Sequence, residues 1–260
     1  MTRSYSGTQS VVRALRVLKL FDSDRAEWSL NDLIKVAGLN KTTLFRLLSA
    51  LESEGLLQRS ANGNYRLGAE IIALGGRAMR HNPLRLVASP LMSQLAERTK
   101  ERITLEILVS NWDGTQTMLV LDEVKSTHLL GINQFIGSRL PIHATSTGKV
   151  MLAFLPEEEL EIVLQQELPA LTTETITTEA QLRGVLTTIR QQGYATAMSE
   201  LEMGLMATAV PIFNYTGEPI AALSIVGPSI RINEARLHQL AKETATTAAT
   251  ISHHLGYRPT

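Results

Sequence analysis

Residues 29–51 read SLNDLIKVAGLNKTTLFRLLSAL, and this stretch decides the fold of the amino-terminal part of the chain. Apolar residues recur at helical spacing on both sides of Gly38, which predicts two short amphipathic helices joined by a tight turn. Glycine suits this turn because it adopts positive φ without steric cost. Asn40 can cap the second helix, since its side-chain oxygen accepts a hydrogen bond from an orphan backbone N–H. The pattern predicts a helix-turn-helix.

The second of these helices presents a polar face once its leucines turn inward. Its outward residues are Lys41, Thr42, Thr43, Arg46 and Ser49. Such side chains can bond phosphates and base edges in the major groove of DNA. An ordinary helical hairpin inside a protein core is the alternative, but it needs no exposed cations.

A hairpin signal follows the two helices. Residues 57–60 and 65–67 are short strand-like runs on either side of Asn62-Gly63, a dipeptide that favours the primed turns of β-hairpins. A helix-turn-helix followed by a hairpin is a winged helix, and this combination favours DNA binding over a simple core hairpin.

Length and composition limit the class of protein. A chain of 260 residues can hold two domains, and 44% hydrophobic with 19% charged residues is typical of a folded protein. Cysteine is absent, which excludes disulfides and thiolate zinc sites and fits a reducing cytoplasm. Residues 1–8 lack an apolar signal core, and no apolar run is long enough to span a bilayer. We expect a cytoplasmic protein with no membrane partner, no metal and no cofactor.

Charge is distributed unevenly although the net charge is zero. Residues 1–80 hold 12 Lys and Arg against 7 Asp and Glu, a net +5, and residues 81–260 hold 13 against 18, a net −5. A basic amino-terminal module on an acidic body fits electrostatic attraction to DNA by one end.

Beyond the hairpin the pattern alternates between helices and strands. Residues 68–80 predict a linker helix, and Asn82-Pro83 marks a boundary. Gly75 and Gly76 each weaken that helix by about 1 kcal/mol relative to Ala, which fits either a hinge or close helix packing. Later helices are predicted at 84–99, 148–154, 178–192 and 233–255, and strands at 103–109, 118–124, 207–213 and 219–226. Helices mixed with antiparallel strands predict an α+β domain.

Five segments together resemble the IclR family of bacterial transcription regulators over nearly the full chain. They are SVVRALRVL (10–18), KTTLFRLL (41–48), YRLG (65–68), LPIHATSTGK (140–149), and AVPIF with ALSIVGP (209–213 and 222–228). The resemblance implies a winged helix-turn-helix domain (1–67), a linker helix (68–82) and a GAF-like α/β sheet domain that binds an effector (83–260). It also implies homodimers or tetramers on palindromic double-stranded operators, since two-fold protein symmetry matches operator symmetry.

The family's DNA-reading positions fall on the outward face derived above. They correspond to Lys41, Thr42, Thr43, Arg46 and, in the wing, Arg66. Phe45 departs from the family, which often has Tyr there. Because a phenol oxygen is missing, we expect Phe45 to pack instead of contacting a phosphate.

The family's effector pocket also maps onto this chain. The corresponding residues are Ser146, Thr147, Ala197, Leu205, Ala207, Ser224 and Val226. Members that bind small oxoacids often carry Asp, Cys and Ser where this chain has Ala197, Ala207 and Val226. We therefore expect a more apolar pocket, with hydroxyl groups as its polar contacts and an effector larger than glyoxylate or pyruvate, such as an aromatic acid. The alternative is that these residues simply fill a core.

Other functions remain open at this stage. Ser146 and Lys149 have the Ser-x-x-Lys spacing of a serine hydrolase nucleophile and base, but the companion Ser-Asp-Asn and Lys-Thr-Gly motifs are absent. A winged helix that binds protein instead of DNA is a third class.

His143 is expected to make a structural hydrogen bond. The sequence favours a ligand-responsive regulator of a metabolic, catabolic operon, not an enzyme, and it does not separate repressor from activator.

Overall fold

The computed structural model describes residues 8–22, 25–111, 113–126, 128 and 135–259. The chain divides into two compact units, Met1–His81 and Asn82–Thr260. Among the described residues, no helix combines the length and apolarity needed to cross a bilayer.

The first unit confirms the helix-turn-helix and the hairpin. Gly38 ends the first of the two helices with φ +64°, and the Asn40 side chain accepts a hydrogen bond from the Thr43 N–H at 2.8 Å. Trp28 extends the hairpin by pairing with Tyr65 through two backbone hydrogen bonds of 2.9 and 2.8 Å. The elements are α1 (Gln9–Leu18), α2 (Leu30–Ala37), α3 (Lys41–Ser53), β1 (Leu57–Arg59), β2 (Tyr65–Leu67) and α4 (Ala69–Arg80).

The core of the first unit forms between the three leading helices and the hairpin. It contains Val17, Phe21, Trp28, Leu33, Leu44, Leu48, Leu51, Leu57 and Tyr65. Every described side chain of α4 is at least partly exposed, and a Cβ on Gly75 or Gly76 would meet no atom within 4 Å. Within the described part of this single chain, the two glycines are therefore not explained by close packing.

The second unit is built on one antiparallel sheet of six strands, in the order β5-β4-β3-β8-β7-β6. The two predicted strand pairs join through β3 and β8, where Thr104 lies opposite Ser224. The elements are α5 (Pro83–Thr99), β3 (Arg102–Ser110), β4 (Gln116–Val124), β5 (Arg139–Pro141), α6 (Ser146–Ala153), α7 (Glu157–Leu164), α8 (Glu179–Gln192), β6 (Ala195–Met198), β7 (Leu205–Phe213), β8 (Pro219–Pro228) and α9 (Glu234–His254).

The two faces of this sheet differ in character. One face carries large apolar residues such as Ile103, Leu105 and Ile225, which pack against α5 and α9. Alternation places smaller and polar residues, including Thr104 and Ser224, on the other face, which α6 covers. The face beneath α6 is apolar at Val120, Ala209 and Ala222, and the polar groups among these residues need partners inside the protein.

Gly148 fixes the start of α6 above this face of the sheet. A Cβ at position 148 would overlap the backbone carbonyl of Ile142, so only glycine allows this approach. Thr145 secures the same turn, because its Oγ1 accepts from the Gly148 N–H at 3.1 Å and donates to the Pro141 carbonyl at 2.9 Å.

Replacing Gly148 with alanine should destabilise the second unit by about 3 kcal/mol, since the added methyl group meets backbone that cannot move aside. Gly184 is the matched control, because it lies on an exposed turn of α8 and a methyl group added there would meet no atom within 4 Å. Gly184→Ala should add up to about 1 kcal/mol of stability. Chemical denaturation of both variants checks this pair, and equal effects would contradict the close approach at Gly148.

Candidate functional site

The outward face of α3 carries the predicted DNA-reading side chains. Lys41, Thr42 and Arg46 are exposed and Thr43 is half-buried, while Leu44 is fully buried on the opposite face. Arg66 is also exposed, in the middle of β2. The four helix positions thus share one element, and the wing residue lies on the adjoining hairpin.

The cations at these positions differ from Arg25 and Arg59 of the same unit. Arg25 is paired with Asp32, and Arg59 lies 3.4 Å from Glu52. In contrast, Lys41, Arg46 and Arg66 form no salt bridge with any residue that the structure describes. Their charge is therefore available to an anionic partner.

The expectation that Phe45 packs is wrong for this chain, because 47% of its surface is exposed. One residue advances a helix by about 100°, so the position after the buried Leu44 turns away from the core. Phe45 lies on the outward face beside Thr42 and Arg46, where an aromatic ring adds an apolar surface to a polar one.

The seven residues assigned to the effector pocket by family resemblance all line one cavity of the second unit. Its volume is about 20 Å³, and its wall also includes Glu106, Leu140, Ala144, Thr145 and Leu201. The apolar side consists of Ala197, Leu205, Ala207 and Val226, with Leu201 packed against them. The polar side consists of Ser146 and Thr147 in the first turn of α6 and Ser224 on β8.

Glu106 is the functional candidate that the sequence did not reveal. Its side chain is 2% exposed, and its two oxygens accept hydrogen bonds from Thr147 Oγ1 at 2.5 Å and Thr104 Oγ1 at 2.8 Å. Burial raises the pKa of Glu106, and the two threonine hydroxyls and nearby Arg102 oppose this rise. A glutamate in an alternating strand normally faces water, and no local pattern indicates that α6 covers this one.

Lys149 is bound in a buried ion pair. Its Nζ lies 2.5 and 2.7 Å from the two carboxylate oxygens of Glu200. Burial lowers the pKa of Lys149, and the charge and hydrogen bonds of Glu200 oppose that effect. An ammonium group held by both oxygens of a carboxylate favours a structural role over that of a hydrolytic base beside Ser146.

The ion pair helps to anchor the loop between β6 and β7. Thr172 and Thr175 donate hydrogen bonds to the carbonyls of Ser199 and Glu200 at 2.7 and 2.6 Å. This loop also carries Leu201, part of the cavity wall, so the anchors set the position of that wall. His143 makes the expected structural hydrogen bond, with its Nε2 3.0 Å from the Pro169 carbonyl.

Among the described residues, no group of three or more His, Cys, Asp or Glu side chains could hold a metal ion.

Comparison with known proteins gives consistent matches along the chain. The family model described as the IclR helix-turn-helix domain matches residues 10–61, and the model described as the bacterial transcriptional regulator IclR C-terminal matches residues 76–253. The HTH-type transcriptional regulator XynR of Escherichia coli (strain K12) is 34% identical over 251 residues, which cover 96% of this chain and 98% of XynR.

Solved structures with the same fold include two that cover nearly the whole chain. An IclR transcriptional regulator from Alicyclobacillus acidocaldarius has a TM-score of 0.85 at 28% identity, over 96% of this chain and 100% of its own. An IclR homolog from Microbacterium hydrocarbonoxydans, complexed with 4-hydroxybenzoate, has a TM-score of 0.79 at 30% identity, over 95% of this chain and 98% of its own.

Substitution of Lys149 tests the ion pair that anchors the cavity wall. Lys149→Met should lower the free energy of unfolding by about 3 to 5 kcal/mol, because it leaves a buried carboxylate without its partner. The double variant Lys149→Met with Glu200→Leu should recover part of that loss, whereas Lys242→Met on exposed α9 surface should change stability by less than about 0.5 kcal/mol. Urea denaturation measures all three, and a loss in Lys149→Met no larger than that of the control would rule out the anchor.

Proposed function

This chain belongs to the IclR family of bacterial transcription regulators and is a ligand-responsive DNA-binding regulator, and we propose that α3 and the wing read an operator while the cavity binds the controlling effector. We also propose that it regulates a metabolic, catabolic operon and that it acts in the cytoplasm. The observation that supports DNA binding is that the exposed cations Lys41, Arg46 and Arg66 lie on α3 and β2 without salt bridges to described residues, whereas Arg25 and Arg59 of the same unit are paired.

Each DNA-facing side chain has a role that its chemistry suits. Arg46 presents a planar guanidinium fork that suits a bidentate pair with a guanine edge, whereas the ammonium group of Lys41 is a compact point charge. Lys41 opens α3, where its charge adds to the helix N-terminus in attracting a phosphate. The hydroxyls of Thr42 and Thr43 can bond either bases or phosphates, and Arg66 holds the wing on the backbone.

The regulator acts as a homo-oligomer in this proposal. Two copies related by a two-fold axis present two α3 helices to a palindromic operator about one helical turn apart. Exposed apolar side chains support a homo-oligomer. In the single chain, Leu15 on α1 is 51% exposed and Ile72 on α4 is 79% exposed. Burying such residues between copies removes apolar surface from water.

The effector is proposed to be an aromatic or larger organic acid. The cavity wall is apolar at Ala197, Ala207 and Val226, and hydroxyl groups cluster at the start of α6. The first-turn N–H groups of a helix have no intrahelical partner and favour an anionic group. The relative from Microbacterium hydrocarbonoxydans that holds 4-hydroxybenzoate supports this class.

Binding of such a molecule requires a more open cavity. A volume of about 20 Å³ has room for roughly one water molecule. The effector would therefore bind a minor, expanded arrangement and increase its population. Preferential binding to one arrangement is what lets a small molecule change the affinity for DNA.

Replacing Arg46 with alanine should weaken operator binding by roughly tenfold to a hundredfold, because one base contact of about 1 to 3 kcal/mol is lost. Lys242→Ala removes one exposed cation from α9 and should leave affinity unchanged. The measurement is fluorescence anisotropy with a duplex obtained by selection from genomic fragments, at fixed salt. If Arg46→Ala binds as tightly as the control variant, α3 does not read this DNA.

Adding 4-hydroxybenzoate should raise the thermal unfolding temperature, since a ligand at about 100 times its Kd adds about 2.7 kcal/mol to stability. Ala207→Val, which adds two methyl groups to the cavity wall, should reduce the rise. Glyoxylate and pyruvate are the comparison ligands in the same thermal-shift assay. Stabilisation by these small oxoacids alone would overturn the proposed effector class.

A further inference from the structure

Among the described residues that line the cavity, Glu106 is the only ionisable one. Its two oxygens each accept a hydrogen bond from a threonine hydroxyl, and both of these donors are uncharged. A buried carboxylate that no neighbouring charge neutralises is strongly disfavoured, so such a group tends to keep its proton. The rise that burial causes in the pKa of Glu106 agrees with this.

The surrounding charges are already paired with one another. They are Arg102 on β3 with Glu123 on β4, and Lys149 on α6 with Glu200 in the loop after β6. The cross-strand neighbours of Glu106 are Val120 on β4 and Ala222 on β8, and both are uncharged. Arg102 opposes the rise in the pKa of Glu106, but burial is the larger effect.

Ser224 is a second polar residue of the cavity wall, and its hydroxyl lacks a hydrogen-bond partner among the described residues. Its side chain is 1% exposed. An unpaired buried hydroxyl is costly, and a ligand that supplies an acceptor would remove that cost.

The polar side of the cavity therefore offers donors. The Ser224 hydroxyl and the first-turn N–H groups of Ser146 and Thr147 all suit an oxygen acceptor such as a carboxylate. Because no cation is found among the described residues that line the cavity, an effector carboxylate would be repelled by an ionised Glu106. A protonated Glu106 can instead donate a short, strong hydrogen bond to it.

We propose that Glu106 holds a proton in the effector-free protein and that its O–H, together with the Ser224 hydroxyl, recognises the carboxylate of an organic-acid effector. This inference rests on the proposed function, because it requires the cavity to be the effector site. Effector and protein then share one proton between two carboxyl groups, so only the neutral form of Glu106 accepts the anionic ligand.

Infrared difference spectra between the full wild-type chain and Glu106→Gln test the proton directly, with no ligand present. The wild type should show the C=O stretch of a protonated carboxyl group at about pH 6, and Glu97→Gln, an exposed α5 position, should leave that band in place. If the difference spectrum shows only the bands of an ionised carboxylate at this pH, the proposal is overturned.

Calorimetric binding of 4-hydroxybenzoate from about pH 6 to about pH 8.5 tests recognition. Wild-type affinity should fall by about tenfold per pH unit wherever the infrared band is lost, because the neutral fraction falls at that rate. Glu106→Gln should bind within about threefold of the wild type at pH 6 and show no such fall, since its amide stays neutral at every pH.

The outcomes separate this inference from the proposed function. A Glu106→Gln variant that binds more than about tenfold more weakly at pH 6, yet unfolds at the wild-type temperature, means that the ionised carboxylate is needed and overturns the inference alone. If neither protein binds the acid while the infrared band is present, the organic-acid class and the recognition role both fail, and DNA binding is unaffected.

Discussion

The close approach between Gly148 and the Ile142 backbone is the constraint on which the second unit depends. It lets the amino end of α6 lie directly over the polar groups of the sheet, with Thr145 bonded on both sides of the turn. From that position Thr147 reaches Glu106, and Ser146 lines the cavity. The pocket exists because a helix start and a polar strand face are brought together at a residue without a side chain.

Burial then determines the chemistry of the polar groups beneath α6. Lys149 is neutralised by Glu200, and this pair holds the loop that carries Leu201 over the cavity. Glu106 accepts from two uncharged hydroxyls, and Ser224 has no partner among the described residues. A buried hydroxyl without a partner beside a small cavity favours a molecule that supplies the missing acceptor.

Local sequence rules were sufficient for the elements of the first unit. Gly38 and Asn40 encode a turn and a cap within a few residues, so their structure follows from neighbouring chemistry. The hairpin at Asn62-Gly63 forms as predicted, but only Gly63 of this pair has positive φ (+82°), so the expected primed turn is wrong. The effector residues came from family resemblance, because Ser146, Ala197 and Ser224 meet only through long-range strand pairing. Glu106 and the Lys149–Glu200 pair were missed for the same reason, and Phe45 was misassigned because its missing phenol oxygen was taken to imply packing, although it follows the buried Leu44 and turns outward.

The central claim is that the cavity and the DNA-reading helix belong to one regulated equilibrium. Its most direct test measures the affinity of the full chain for 4-hydroxybenzoate with and without the selected operator duplex, and the affinity for the duplex with and without the acid. Linkage requires both affinities to change by the same factor, typically about 5- to 150-fold. If the acid binds equally well to free and DNA-bound protein, the cavity does not regulate DNA binding and the account is contradicted.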